Sequence, residues 1–189
     1  YFQNLKVIDR HAYDVEVLMG VELNILDEKG TVDLTEETLG KLDLAIASLH
    51  MPCITPGSRE YNTQACLNVM KNPRIHILGH PDDPRYPVDF RAIVQGAQEY
   101  GMLLELNENS LRPGGSRKNA RPQDEEMLKL CMEYQVPVVI GSDAHVDTDV
   151  GRHELAHALL EEMNFPEELV INRSVEALKH ALEQKRARL

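Results

Sequence analysis

The sequence contains no tryptophan, only three phenylalanines and only three cysteines among its 189 residues. Cys53, Cys66 and Cys131 form an odd set without CxxC spacing. This argues against a disulfide framework or a thiolate zinc site and favours reduced, packed thiols. No apolar run approaches the roughly 18 residues that a membrane-spanning helix needs. We therefore expect a cytoplasmic protein with no role for a membrane.

Positively charged residues are also few. The sequence has 20 Lys and Arg against 31 Asp and Glu, so the formal net charge is −11. Such a balance opposes broad contact with a phosphate backbone, and we expect no nucleic-acid partner. An anionic substrate would need metal ions or arginines to overcome the repulsion. Length and composition predict a single domain over residues 1–189.

Short apolar segments alternate with segments of helical periodicity along the chain. The spacing between strand starts, roughly 26 to 34 residues, suits βα units in a parallel sheet and predicts an α/β fold. A short extended piece is predicted near the end of the chain. The predicted strands are Glu16–Leu26, Leu42–Leu49, Arg74–Leu78, Met102–Leu106 and Val136–Ile140, the extended piece is Leu169–Asn172, and the predicted helices are Asn62–Met70, Asp89–Tyr100, Pro122–Tyr134, Gly151–Asn164 and Ser174–Arg188.

Metal-capable side chains stand at nearly every strand end. Glu22 lies in the first strand, His50 and His80 close the second and third, and Asp143 and His145 follow the fifth. In a parallel β/α barrel these ends meet at one mouth, where carboxylates without a cation would repel each other. Imidazoles and carboxylates without thiolates suit Zn, Mn or Fe. The pattern therefore predicts a metal site.

Each residue alone also has a structural interpretation. A histidine after a strand can be a hydrogen-bonded structural residue, Glu22 can pair with a Lys or Arg, and Asp143 can cap a turn. The repeated placement at strand ends favours the metal site over these alternatives. Glu105, with Asn107 beside it, ends the remaining strand.

Five motifs resemble the PHP (polymerase and histidinol phosphatase) family in order and spacing, and most closely its small stand-alone phosphatase branch. They are GVELNI, ASLHMP, ILGHPDDPRY, LELNENS and VVIGSDAH. The resemblance implies a distorted, seven-stranded β/α barrel, of which this chain holds the last five strands and the C-terminal helices. It also implies two or three divalent metal ions, Zn or Mn with Fe as an option. The implied reaction is hydrolysis of phosphate monoesters on a small phosphorylated substrate by metal-activated water.

Residue roles follow from the same resemblance. Glu22 corresponds to a carboxylate that bridges two metals, His50 and His80 to ligands of one of them, Asp143 to a ligand of the other, and His145 to a ligand of a third ion. The resemblance gives Glu22 and Asp143 the catalytic roles.

The loop after the fourth strand faces the substrate in such barrels. The resemblance therefore makes Asn107 and Ser110 substrate-facing, and Arg112 and Arg117 candidate phosphate contacts. The surrounding loop, Leu111–Arg121, is expected to set specificity.

The sequence departs from the family at its beginning. The family's first strand carries an HxH motif, which is missing here, and His11 lacks that context. We therefore expect the first two βα units of the barrel to be absent from this chain. The resemblance extends back through Tyr1–Lys6, so these residues are expected to be native rather than a tag.

Two alternatives of other classes remain open. His153, Glu154 and His157 form an H-E-x-x-H pattern, the helical signature of zinc proteases, with Glu176 as a possible third ligand. The other alternative is a non-enzymatic or inactive PHP-like metal-binding domain.

Overall fold

The computed structural model describes residues 4, 7–11 and 15–188. Residues 1–3, which the resemblance treats as native, lie outside this part of the chain. No described helix is both long and apolar enough to cross a bilayer. The strands are β1 (Gly20–Asn24), β2 (Leu44–Ser48), β3 (Ile77–Leu78), β4 (Leu103–Asn107) and β5 (Val138–Gly141), and the helices are α1 (Glu36–Leu39), α2 (Arg59–Met70), α3 (Phe90–Tyr100), α4 (Glu108–Leu111), α5 (Arg121–Tyr134), α6 (Glu154–Glu162) and α7 (Val175–Arg186).

The five described strands form one sheet in the order β1-β2-β3-β4-β5, and every neighbouring pair is parallel. The predicted α/β class with a parallel sheet is thus confirmed. Each new strand adds to the same edge, so the sheet winds in one direction. This is the strand order of a β/α barrel, whereas a doubly wound sheet reverses direction at a switch point. Closure into a barrel stays a prediction.

One face of the sheet is buried by helices. Leu23, Leu104 and Val138 are buried there in a core shared with Ile93 of α3 and Leu128 of α5. Side chains alternate between faces along a strand, so their neighbours in sequence point the other way. Polar residues at the carboxyl ends of the strands therefore lie on the second face.

Helix α7 packs on the second face near the amino ends of its strands. Ile77, Leu103 and Val139 pack there with Leu178 and Ala181 of α7. This packing leaves the carboxyl-terminal half of that face for polar side chains.

Two predicted elements near the end of the chain differ from the structure. The helix predicted from Gly151 begins only at Glu154, because Gly151 has a φ of 75° and His153 has φ −142° and ψ 19°, both outside helical values. The extended piece predicted at 169–172 is instead a pair of 3₁₀ turns around Val170, which alone bridges Val138.

Asn172 explains why no strand forms there. Its Oδ1 accepts from the backbone N–H of Ile140 at 3.0 Å, and its Nδ2 donates to the Ile140 carbonyl at 2.9 Å. The Asn172 side chain thus bonds the backbone N–H and C=O of Ile140 at the edge of β5, the groups with which a further strand would otherwise pair.

His76 is a buried histidine that must stay neutral. Its Nδ1 accepts a hydrogen bond from the backbone N–H of Ala45 at 3.1 Å, and its Nε2 has no partner. Burial, reinforced by the nearby charges of Arg186 and Lys185, lowers the pKa of His76 to about 3.

We expect this histidine to make the fold sensitive to acid. Between an unfolded pKa near 6.5 and the folded value of about 3, only the unfolded chain takes up the proton. Stability should therefore fall as pH drops through this window, by up to about 1.4 kcal/mol per pH unit from this group. His76→Asn keeps an acceptor for Ala45 but cannot titrate. Urea unfolding at pH 7 and pH 4.5 should show that the free energy of unfolding falls less for the variant than for the wild type. Equal falls in the two proteins would contradict the role of His76 in acid sensitivity.

Candidate metal centre at the strand ends

Glu22 lies at the centre of the polar half of the second face. Its Oε1 accepts from the Ser48 hydroxyl at 2.7 Å and lies 3.1 Å from His80 Nε2 and 3.2 Å from His50 Nε2. Burial alone would raise the pKa of the Glu22 carboxyl, but its side-chain contacts with His50, His80 and Ser48 outweigh burial and hold the pKa far below the usual range. The carboxylate is therefore ionised at neutral pH.

His50 and His80 bring their ring nitrogens to the same point. The two Nε2 atoms are 3.2 Å apart, and the ligand atoms of Glu22, His50 and His80 all lie within 4.8 Å of one another. His80 is buried and has a positive φ of 29°, a strained value for a residue with a side chain. Such strain is typical of functional positions that the surrounding structure holds in place.

These three side chains fit a divalent transition metal. Two imidazoles and one carboxylate are the protein ligands of catalytic zinc sites that keep an open position, and of many iron sites. The ligand atoms of these two imidazoles and this carboxylate lie close enough together for one cation to bind all three. Glu22, His50 and His80 thus form a group that could hold a metal ion, and their predicted roles as metal ligands stay predictions.

Glu105 supports this cluster from inside the sheet. Its Oε2 accepts the backbone N–H of His80 at 2.8 Å, which fixes the strained residue. Burial raises the pKa of Glu105, against a smaller opposing effect of His80. Gly141 makes room for the carboxyl group, since a Cβ at this position would lie 2.0 Å from Glu105 Oε1.

Arg117 organises a second polar group beside the cluster. It is only 9% exposed, and its Nη1 donates to Asp143 Oδ2 at 3.1 Å and to Asn107 Oδ1 and Ser110 Oγ, both at 3.3 Å. Asp83 Oδ2 lies 3.9 Å from its Nε. Asp143 is thus held in this second group, outside the set of three residues whose ligand atoms converge at Glu22.

Two further carboxyl groups are buried near Arg117. Neither Asp82 nor Asp124 has a hydrogen-bond partner among the described residues. Burial raises the pKa of Asp82. Burial and the nearby charges of Asp82 and Glu105 raise the pKa of Asp124 well above its usual value. Arg117 acts in the opposite direction and lowers the pKa of both carboxyl groups. The Arg117 guanidinium is therefore the cation that these buried acids share.

The remaining predicted site residues lie further out. His145 is 76% exposed, and its Nδ1 lies 2.8 Å from the backbone oxygen of Asp143. Arg112 Nη1 donates to Asp149 at 2.8 Å. Neither belongs to the Glu22–His50–His80 group, so their predicted roles stay predictions.

The H-E-x-x-H residues lie elsewhere. His153 precedes α6 instead of lying within it, so the pair does not share one continuous helix with Glu154 as predicted. The rings of His153 and His157 are 6.3 Å apart between centroids, and both line a cavity of about 590 Å³ next to Phe165 and Arg173. The group of three metal-capable residues found in the described part of the chain is the one at Glu22.

Sequence reasoning missed several residues that contact the cluster. Asn24 Oδ1 lies 2.8 Å from His50 Nδ1, and Ser48 donates to Glu22. Both were detectable from the strand period of two, because Asn24 follows Glu22 by two residues and Ser48 precedes His50 by two. Asp82 and Asp83 carry no comparable signal in the sequence.

Comparison with known proteins gives close relatives among curated sequences. A protein named "Probable phosphatase" from Caldanaerobacter subterraneus subsp. tengcongensis is 46% identical over 190 residues, which cover 100% of this chain and 74% of the relative. A "Probable phosphatase" of Clostridium novyi is 42% identical over 98% of this chain and 75% of its own length. A "Probable phosphatase" of Acetivibrio thermocellus is 40% identical over 100% of this chain and 77% of its own length. A scan against protein-family models finds no match.

Among solved structures, a chain in a cryo-EM structure of archaeal ribonuclease P with mature tRNA is similar to this chain. The TM-score is 0.60 with 18% sequence identity, over 93% of this chain and 72% of that one. At this identity the similarity shows a shared fold alone.

Proposed function

Because this chain belongs to the family of curated proteins named as probable phosphatases, we propose that it is a metal-dependent phosphoesterase that hydrolyses phosphate monoesters. We assign it within that family to the PHP type, with a barrel-like fold and two to three divalent ions, Zn or Mn with Fe as an option. The proposed substrate is a small phosphorylated molecule.

The observation that carries the proposal is the convergence of Glu22, His50 and His80 at the carboxyl ends of adjacent parallel strands. These residues would hold the metal ion. When bound, such an ion lowers the pKa of water and neutralises phosphoryl oxygens. A carboxylate and two imidazoles leave coordination positions open for both purposes. A chain with formal charge −11 needs this local positive charge to bind a phosphate.

The chain's own residues prepare the site in several ways. Glu22 stays ionised because His50, His80 and Ser48 stabilise its charge. Asp143 would serve a neighbouring ion and is oriented by Arg117 and by Asn109, whose Nδ2 donates to it at 3.3 Å.

The remaining roles are proposals of the same kind. His145 would serve a third ion. Asn107 and Arg112 would contact the phosphate, and Arg117, although proposed as a contact, would act chiefly by holding Asp143.

The zinc-protease and non-enzymatic interpretations have less support than the phosphoesterase. The protease interpretation loses support because His153 lies outside α6 and because the relatives are named as phosphatases. A non-enzymatic domain has no specific observation in its favour, since the strained, convergent site at His80 has the form of a working centre.

The test is metal-dependent turnover of para-nitrophenyl phosphate and of small sugar and amino-alcohol phosphates by the full-length protein. We expect hydrolysis that EDTA removes and that Mn²⁺ or Zn²⁺ restores. Metal binding without turnover of any phosphate would support the non-enzymatic domain, and cleavage of an unphosphorylated peptide would support the protease.

A further inference from the structure

A chain of hydrogen bonds leads from an exposed loop to the metal cluster. Asp33, between β1 and α1, accepts from Asn24 twice: Oδ1 from the backbone N–H at 3.1 Å and Oδ2 from the side-chain Nδ2 at 2.6 Å. Asn24 Oδ1 in turn lies 2.8 Å from His50 Nδ1. The His50 Nε2 atom on the opposite side of the ring faces Glu22 and His80.

The Asp33 carboxylate decides which way the Asn24 amide points. An ionised carboxylate only accepts hydrogen bonds, so the atom facing it at 2.6 Å must be the donor Nδ2. The carbonyl Oδ1 of Asn24 is then the atom that faces His50. The orientation of this amide thus follows from its partners.

The Asn24 carbonyl decides in turn which nitrogen of His50 carries the proton. An oxygen that only accepts requires a donor at 2.8 Å, so Nδ1 is protonated. In a neutral imidazole Nε2 then has a free lone pair. This lone pair points at the position where the ligand atoms of Glu22 and His80 converge.

We infer that Asp33 and Asn24 are positioning residues that lock His50 in its Nδ1–H tautomer and so aim its Nε2 lone pair at the metal. Hydrogen bonds of this kind to the second nitrogen of a metal-binding histidine typically change metal affinity by about 10- to 100-fold. The inference rests on the proposed metal site, but the tautomer can be measured in protein without metal or substrate.

The experiment is ¹⁵N NMR of the imidazole nitrogens in metal-free protein at alkaline pH, combined with Zn²⁺ titration by calorimetry. In the wild type, His50 Nδ1 should show a protonated resonance and Nε2 an unprotonated one, and Zn²⁺ should shift Nε2. Asn24→Leu and Asp33→Ala should populate the other tautomer and weaken Zn²⁺ binding by about 10- to 100-fold.

The same loop supplies a matched control. The Asp27 carboxylate accepts from Lys29 and Thr31 within the turn, and among the described residues it has no hydrogen bond to Asn24. Asp27→Ala loosens the same loop, so it should leave both the tautomer and the Zn²⁺ affinity unchanged. Equal effects of Asp27→Ala and Asp33→Ala would mean that Asp33 acts only through loop stability and would overturn the inference.

A double variant tests the direction of the hydrogen bonds. Asn24→Asp alone places two carboxylates against each other, and it should weaken Zn²⁺ binding. Adding Asp33→Asn restores every bond, since the new amide donates to the new carboxylate, which accepts from His50 Nδ1. The double variant should therefore recover the wild-type tautomer and affinity.

An Nε2–H tautomer in the wild type, or no rescue in the double variant, would overturn the inference. A correct tautomer and tight Zn²⁺ binding without phosphatase activity would contradict only the proposed function.

Discussion

Replacing Glu22 by glutamine is expected to remove metal binding at the strand-end cluster and to lower phosphate-ester turnover by about 10³-fold or more. The amide is neutral, so it cannot replace the carboxylate as a ligand between His50 and His80. A metal ion supplies several kcal/mol of transition-state stabilisation, and about 4 kcal/mol corresponds to three powers of ten in rate. Calorimetric titration with Mn²⁺ and Zn²⁺ and steady-state kinetics measure both losses.

The variant should nevertheless fold. Its amide oxygen can still accept from Ser48, and Glu22 is partly exposed. Glu37→Gln is the matched control, because Glu37 forms an exposed ion pair with Lys41, lies outside the metal-capable group, and should leave both measurements unchanged when replaced. A Glu22→Gln protein with wild-type metal stoichiometry and turnover would contradict the assignment of the site.

Replacing Arg117 by methionine is expected to destabilise the fold by about 3–5 kcal/mol. The methionine keeps much of the volume but removes the cation that Asp143 contacts at 3.1 Å and that offsets the buried Asp82 and Asp124. Removing one partner of a buried ion pair leaves an uncompensated charge and has an effect of this size. Urea unfolding at pH 7 measures it.

The sign of the pH dependence gives a second check on Arg117. Arg117 lowers the folded-state pKa values of Asp82 and Asp124, so these values rise further without the guanidinium, and the variant gains stability relative to the wild type as pH falls from 7 to 5. Arg112→Met is the control, since Arg112 pairs with Asp149 at a more exposed position and should change stability by less than about 1 kcal/mol. Equal effects of the two substitutions would contradict the central role of Arg117.

Local sequence signals predicted much of the fold. The helix expected at Asp89–Tyr100 is found as α3, with Asp89 as its N-cap and Gly101 in the left-handed conformation that ends it. Two predicted elements differ from the structure: the helix predicted at 151–164 begins only at Glu154, after the non-helical Gly151 and His153, and the extended piece predicted at 169–172 is replaced by a tertiary contact of Asn172. Nothing in the local pattern shows that Asn172 will occupy the edge of β5.

The candidate site likewise contains residues that the sequence predicts and residues that only the structure reveals. Parallel strands bring their carboxyl ends together, so the sequence predicts that Glu22, His50 and His80 meet. The link from Asp33 to Asn24 and the contacts of Arg117 depend on how two loops fold back over the sheet. Sequence spacing carries no information on such loop geometry, which is why these residues emerged only from the structure.

The most direct test of the central claim is an anomalous difference map from crystals grown with Mn²⁺ or Zn²⁺, measured on both sides of each metal's absorption edge. The account predicts a peak about 2.0–2.2 Å from the ligand atoms of Glu22, His50 and His80. A peak at His153 and His157 instead, or no peak at Glu22 under saturating metal, would contradict it.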